Sequence, residues 1–263
     1  MTPNAPSTAD KDLLVLTCVH GNEDFANGPV SALQQEYGDR FDWIIGNPRA
    51  LDQRVRYTEV DMNRIAPGSP DDPRYEARRA SELLQIASRY PYVIDIHGTT
   101  ANCGVFSFIP GAPLTLQRLA LATALPIENV VIWADEAERQ SGEGPLTPLM
   151  PCGIAIECGP KNAPEVAEQL LVALRSVVRD GIGGCLRYPS PKKLFRVYGL
   201  VKKSVLPRGG AELRDFEKTR IGDETFFPLL SGQYTETACY KMEEVDLWRL
   251  FSYEQARELR QSS

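Results

Sequence analysis

The sequence predicts an α/β protein: a mixed, mostly parallel sheet with helices on both faces, plus a small β-rich C-terminal subdomain. Three observations predict it. Short, nearly continuous apolar runs such as Leu13-Leu14-Val15-Leu16-Thr17-Cys18-Val19 read as strands buried on both faces. These runs alternate with stretches of helical periodicity, the βαβ pattern of a sheet covered by helices. After about Gly184 the texture changes, and aromatic or branched residues alternate with others at a loose period of two.

In chain order, residues 1–11 are polar and read as disordered. The strand at 13–19 ends in His20-Gly21-Asn22-Glu23. A short helix is expected over 29–37 and a second buried strand over 42–46, closed by Asn47-Pro48. Residues 47–74 are polar and broken by proline and glycine, which predicts mainly loop. Residues 74–89 carry Ala80, Leu83, Leu84 and Ala87 on one helical face. A third strand over 92–96 runs into His97-Gly98-Thr99-Thr100. Strands at 105–109, 130–133 and 153–157 and helices at 114–124 and 163–179 complete a catalytic domain of residues 1–184. In 194–201, Phe195, Val197 and Gly199 share one face and Arg196 and Tyr198 the other, as in a half-solvated antiparallel strand. Gly209-Gly210, Gly222-Asp223 and Gly232 divide the rest of the chain into short segments. Residues 185–263 are expected to form the β-rich subdomain.

A chain of 263 residues can bury one sizeable core. A net charge of −6 and a pI near 5.2 argue against nucleic acid or an anionic membrane as partner. The N-terminus lacks a charged-then-apolar leader, and the apolar runs are too short to span a bilayer, so the expected location is cytoplasmic. Six cysteines occur, at 18, 103, 152, 158, 185 and 239, none in a C-x-x-C pair. They read as reduced, buried thiols. Only two histidines occur, and both follow apolar strands beside an acidic residue.

Those two histidines carry the chemistry. His20-x-x-Glu23 closes a buried strand, and ligands gather at the carboxyl ends of strands in α/β sheets. A loop there can bring an imidazole nitrogen and a carboxylate oxygen onto one zinc ion, and Gly21 lets the backbone turn. Alone, the pair equally describes a loop histidine beside a surface glutamate. His97 could complete a three-ligand site with an open fourth position, which marks a catalytic rather than a structural zinc site. Asp95 has the same strand parity as His97 and could orient its imidazole through the second ring nitrogen. The simpler alternative is a buried histidine hydrogen-bonded to Asp95.

Glu157, in Gly153-Ile154-Ala155-Ile156-Glu157-Cys158-Gly159-Pro160, closes an apolar strand, where desolvation should raise its pKa. Near a metal it can act as general base toward water and then as acid toward a leaving nitrogen. By itself it could equally cap the next helix. Finally, Asn47-Pro48-Arg49-Ala50, Arg54-Val55-Arg56-Tyr57 and Asp61-Met62-Asn63-Arg64 offer several guanidinium groups in an acidic chain. Arginine binds carboxylates bidentately, which points to a substrate with at least one carboxylate.

Together these segments resemble the succinylglutamate desuccinylase/aspartoacylase family of the zinc carboxypeptidase clan. The resemblance covers residues 13–160 closely and 185–245 loosely, where Glu236-Thr237-Ala238-Cys239-Tyr240-Lys241 is similar to the tyrosine-bearing segment of aspartoacylases. It implies a zinc carboxypeptidase-like fold and one zinc ion per chain, held by His20, Glu23 and His97. It further implies Glu157 as general base and acid and Arg56 as the group that polarises the carbonyl and stabilises the oxyanion. Asn63 and Arg64 would bind a substrate carboxylate, and Tyr240 would close over the substrate. The implied activity is zinc-promoted hydrolysis of an amide bond in an N-acyl amino acid. The implied partner is a small carboxylate-bearing molecule, with self-association left open. Two departures stand out. Residues 140–156 lack the arginine and tyrosine that aspartoacylases carry upstream of the catalytic glutamate, and Gly98 stands where they tend to have asparagine. The zinc machinery is therefore expected intact and the substrate-reading shell altered. A metallocarboxypeptidase acting on short peptides and a non-catalytic metal-binding relative are the alternatives. Cys18 and Cys158, close to the expected ligands, read as packing residues.

Overall fold

The structure is a computed structural model that describes residues 11–110, 114–133, 143–185, 192–206 and 212–246. The disorder expected at 1–11 and the turn expected at Gly209-Gly210 fall outside these residues, except for Lys11. That residue is anchored: its Nζ donates to Asp42 Oδ1 at 2.9 Å and to Gly38 O at 2.7 Å.

The predicted α/β architecture is present. Ten described strands form one sheet in the order β2-β1-β3-β6-β4-β5-β7-β10-β9-β8. The strands are β1 (Leu13–Thr17), β2 (Phe41–Ile45), β3 (Tyr92–Gly98), β4 (Gly104–Pro110), β5 (Asn129–Trp133), β6 (Gly153–Gly159), β7 (Lys193–Lys202), β8 (Thr219–Ile221), β9 (Glu224–Leu229) and β10 (Thr237–Glu244). β2, β1, β3 and β6 run parallel. β4 is antiparallel to β6, and β5 and β7 run parallel to β4. β10, β9 and β8 continue the sheet antiparallel. β7 is thus parallel to one neighbour and antiparallel to the other.

Alternation along β1 assigns the two faces. Leu13 and Val15 pack on the side of α1 (Asn27–Tyr37), α5 (Leu116–Ala124) and α6 (Pro164–Cys185). Leu14 and Leu16 pack on the opposite side with α3 (Met62–Ile65) and α4 (Tyr75–Ala87). On that second face, farther along the sheet, Phe106, Phe195, Leu229 and Met242 form a separate aromatic-rich cluster. The site lies on this face between the two clusters.

The segment 47–74 is mainly loop, as expected, with two short helices set into it, α2 (Pro48–Gln53) and α3. Asn47 caps α2 by accepting from Ala50 N–H, Pro48 sits in the first turn, and Asp61 caps α3 by accepting from Asn63 N–H. These caps stabilise helices too short to show an amphipathic period. Two expectations shift. His97 does not follow its strand but lies within it, because β3 and β6 stay paired through Gly98 and Cys158; Glu157, expected as the last residue of its strand, is followed on β6 by Cys158 and Gly159. Gly21 has no left-handed backbone. It is needed for close approach, since a Cβ there would sit 2.1 Å from the Ala50 carbonyl carbon.

Candidate active site

The centre of the site is Glu23. Its carboxylate reaches both histidines: Oε1 lies 3.0 Å from His20 Nδ1, and Oε2 lies 3.3 Å from His97 Nδ1. Gly98 N–H donates to the same Oε2 at 2.9 Å. All three side chains are buried, and their donor atoms lie within 4.8 Å of one another. Each outer imidazole nitrogen meets its own carboxylate. His97 Nε2 is 2.9 Å from Asp95 Oδ2, the pairing expected from strand parity, and His20 Nε2 is 3.1 Å from Asp61 Oδ1. Thr147 hydroxyl donates to Asp95 Oδ2 at 2.7 Å and fixes that carboxylate. Both Nδ1 atoms therefore face inward with the carboxylate of Glu23.

The electrostatics favour a cation here. Burial opposes charge on Glu23, yet hydrogen bonds from His20 and His97 hold its carboxyl well below the usual range. Asp61 is also held low against burial, by His20 and Arg56. His97 is pushed well above its ordinary value despite burial, first by the charge of Asp95 and then by its bonds to Asp95 and Glu23. Asp95 Oδ1 is buried without a hydrogen-bond partner. Two imidazole nitrogens and one carboxylate oxygen, converging from buried residues and surrounded by further carboxylates, fit a borderline divalent cation such as zinc.

A pocket of about 180 Å³ opens over this group. His20, Glu23 and His97 line it, together with Arg56, Asn63, Arg64, Glu157 and Tyr240. All the sequence-selected residues thus come together. Glu157, on β6, is partly open to the pocket, and loss of hydration pushes its carboxyl up to about 7, with His97 opposing. Arg56 Nε donates to Asp61 Oδ2 at 3.0 Å, and its Nη1 lies 3.6 Å from Glu23 Oε1. Arg64 is exposed and donates to Asn63 O. The Asn63 side chain is buried: its Oδ1 accepts from Leu146 N–H at 3.2 Å, and its Nδ2 lies 3.4 Å from His97 Nε2.

Several contributors were not evident in the sequence. Asp61 belongs to a selected segment, but its contact with His20 joins residues 41 positions apart. Glu76, an ordinary first-turn glutamate of α4, is fully buried and accepts from Thr58 N–H (2.6 Å), Thr58 hydroxyl (2.7 Å), Glu59 N–H (3.1 Å), Val60 N–H (3.3 Å) and Asn47 Nδ2 (3.3 Å). It gathers the loop between Arg56 and Asp61. Phe108, Trp133 and Tyr234 also line the pocket; sheet pairing places the first two, and the loop between β9 and β10 places Tyr234. Cys18 is directed elsewhere, its thiol 3.4 Å from Asn27 Oδ1. Burial raises its pKa to about 11. Cys103, Cys158 and Cys239 are buried free thiols, and Cys152 is a half-buried one; the side chain of Cys185 lies outside the described residues. No described helix is long and apolar enough to cross a membrane.

Comparison with known proteins gives consistent results. The profile of the succinylglutamate desuccinylase/aspartoacylase catalytic domain matches residues 9–180. A probable aspartoacylase of Synechococcus sp. (strain CC9605) is 35% identical over 196 residues, covering 66% of this chain and 60% of that protein. An N-acyl-aromatic-L-amino acid amidohydrolase (carboxylate-forming) of Xenopus laevis is 24% identical over 213 residues, covering 73% and 68%. The crystal structure of murine aminoacylase 3 superposes with a TM-score of 0.65 at 20% identity, covering 91% of this chain and 96% to 97% of that one in its two forms. The chain spans less than two thirds of the cyanobacterial relative's length.

Proposed function

The chain belongs to the succinylglutamate desuccinylase/aspartoacylase family, and from that premise we propose that it is a zinc-dependent amidohydrolase that cleaves the amide bond of an N-acyl amino acid. The observation that carries this reading is the convergence of His20, Glu23 and His97 under a pocket that also exposes Glu157. A site that only stored metal would not need a base there.

When bound, zinc would act as a Lewis acid and bring the pKa of water down toward about 7. The remaining work falls to the chain. Asp95 and Asp61 hold the imidazoles so that both Nδ1 atoms face inward. Glu157 takes the proton of the attacking water and returns it to the leaving nitrogen, a role suited to a carboxyl whose pKa is near 7. Arg56, at the pocket rim beside Glu23, donates to the developing oxyanion. Arg64 grips the substrate carboxylate, and Asn63 adds its amide N–H, its oxygen being taken by Leu146. Tyr240 closes the far side. The relatives are named for acyl groups on aspartate and on aromatic amino acids. Their common element is an amide next to a carboxylate, and the proposed substrate shares it.

The test is a panel of N-acyl amino acids with zinc-loaded protein, monitored for released amine. Turnover that disappears in Glu157→Gln supports the reading. Faster cleavage of ordinary dipeptides would favour a carboxypeptidase instead. Absence of turnover on both panels would leave a metal-binding relative.

A further inference from the structure

The pocket is divided along the sheet. Its polar half comes from the ends of β1, β3 and β6: His20, Glu23, His97 and Glu157. β4 lies next to β6, with Phe106 in register with Glu157, so Phe106, Phe108 and Pro110 share the face of that carboxylate. β5 is the next strand, with Trp133 in register with Pro110. β10 brings Tyr240 against Trp133, ring centroids 4.3 Å apart at 66°. Phe108 meets Trp133 at 5.8 Å and 78°, and Tyr234 meets Tyr240 at 5.7 Å and 89°. Four rings thus form one edge-to-face wall. Trp133 is two strands from Glu157 and four residues farther along them, roughly 16 Å between backbones at about 4.8 Å per strand and 3.3 Å per residue, and both side chains line the same pocket.

Charge is distributed the same way. Among the described lining residues the cations are Arg56 and Arg64, both from the segment on the polar side. With Arg56 assigned to the oxyanion, Arg64 is left to hold one substrate carboxylate. A second carboxylate against the ring wall would lose its hydration with no cation among the described residues of that wall to replace it, and would face the ionised form of Glu157.

Resting on the deacylase reading above, we propose that the substrate carries one carboxylate and an apolar ring-bearing group. The ring seats against Phe108, Trp133 and Tyr240, and Trp133 is the residue that selects it over acidic N-acyl amino acids such as N-acetylaspartate. The ring can sit on either side of the amide: on the amino acid, as in N-acetyl-L-phenylalanine, or on the acyl group, as in N-benzoylglycine.

The experiment measures kcat/KM of the zinc-loaded full chain on these two compounds, N-acetylglycine and N-acetyl-L-aspartate. The expected result is at least a tenfold preference for one ring compound over N-acetyl-L-aspartate, and the preferred compound identifies the half of the substrate that meets the wall. Trp133→Ala should shrink the ratio of ring compound to N-acetylglycine at least tenfold, and Trp133→Phe should restore most of it. Should Trp133→Ala fail to fold, Tyr240→Leu reads the same wall. N-acetyl-L-aspartate cleaved as well as either ring compound overturns the inference and leaves the hydrolase reading standing. If none of the four is cleaved, the hydrolase reading fails. Calorimetric binding of L-phenylalanine and of benzoate against L-aspartate then decides the wall, and tighter or equal binding of aspartate overturns it.

Discussion

Glu157 lies in register with His97 on one neighbouring strand and with Phe106 on the other. One carboxylate therefore stands between the His20–Glu23–His97 cluster and the strand that carries Phe108 of the ring wall, and burial there, opposed by His97, raises its pKa. Replacing it by Gln keeps shape and removes basicity. Glu157→Gln should lower kcat by roughly 10²- to 10⁴-fold, the usual worth of a positioned general base. Zinc content should be unchanged by elemental analysis. Wild-type turnover in this variant would remove Glu157 from the mechanism.

The same burial predicts a pH effect on the metal-free protein. The folded pKa of about 7 lies above the ordinary 4.5. Below about pH 4.5 both states are protonated. Between 4.5 and 7 the unfolded chain ionises first, so this group's contribution to stability falls as pH rises, and the loss levels off above 7. Glu157→Gln lacks the loss. In urea titrations of chelated protein, the variant should gain on wild type between pH 5 and pH 8 by roughly 1–3 kcal/mol. A gap that does not change with pH would contradict this.

Glu76 supports the site from behind. Its carboxylate collects donors from Asn47 ahead of α2 and from Thr58, Glu59 and Val60 after it, and that segment leads directly into Asp61, which holds His20. Glu76→Ala should cost about 3–5 kcal/mol, since buried donors lose their acceptor. Glu76→Gln should fold, keep its zinc, and show a lower kcat with little change in KM, because Arg56 and not substrate affinity is displaced. A selective rise in KM would argue against this route.

Two glycines carry steric information. At Gly98 a Cβ would lie 2.6 Å from the Phe25 ring and 2.9 Å from Lys161 Cβ, so the space of the asparagine typical of aspartoacylases is already filled. Gly98→Asn should cost about 1–3 kcal/mol, and Phe25→Ala should relieve part of it in a double-mutant cycle of thermal unfolding. Gly21→Ala should be worse, because its obstacle is the Ala50 backbone. Equal tolerance at both positions would show that the backbone there is freer to shift.

The grouping of His20, Glu23 and His97 is legible in the sequence because a histidine at the end of a buried strand is an unusual polar interruption, and parity on β3 is enough to pair Asp95 with His97. Strand order was not legible. Nothing local places β6 between β3 and β4, so the placement of Phe106 and Phe108 beside Glu157, and of Trp133 beside Tyr240, emerges only from long-range pairing. Glu76 escaped for a related reason. On its own helix it is one of several charged residues, and its burial depends on a loop 16 to 18 residues upstream. The 47–74 helices were hidden because capping by Asn47 and Asp61, not periodicity, stabilises them.

The most direct test of the central claim is metal content by elemental analysis of purified wild type beside His97→Ala. A site built from His20, Glu23 and His97 predicts about one zinc per wild-type chain and its loss in the variant. Wild-type protein that takes up no metal even when zinc is supplied would mean that these three residues form a structural cluster, and the proposed chemistry would fall with it.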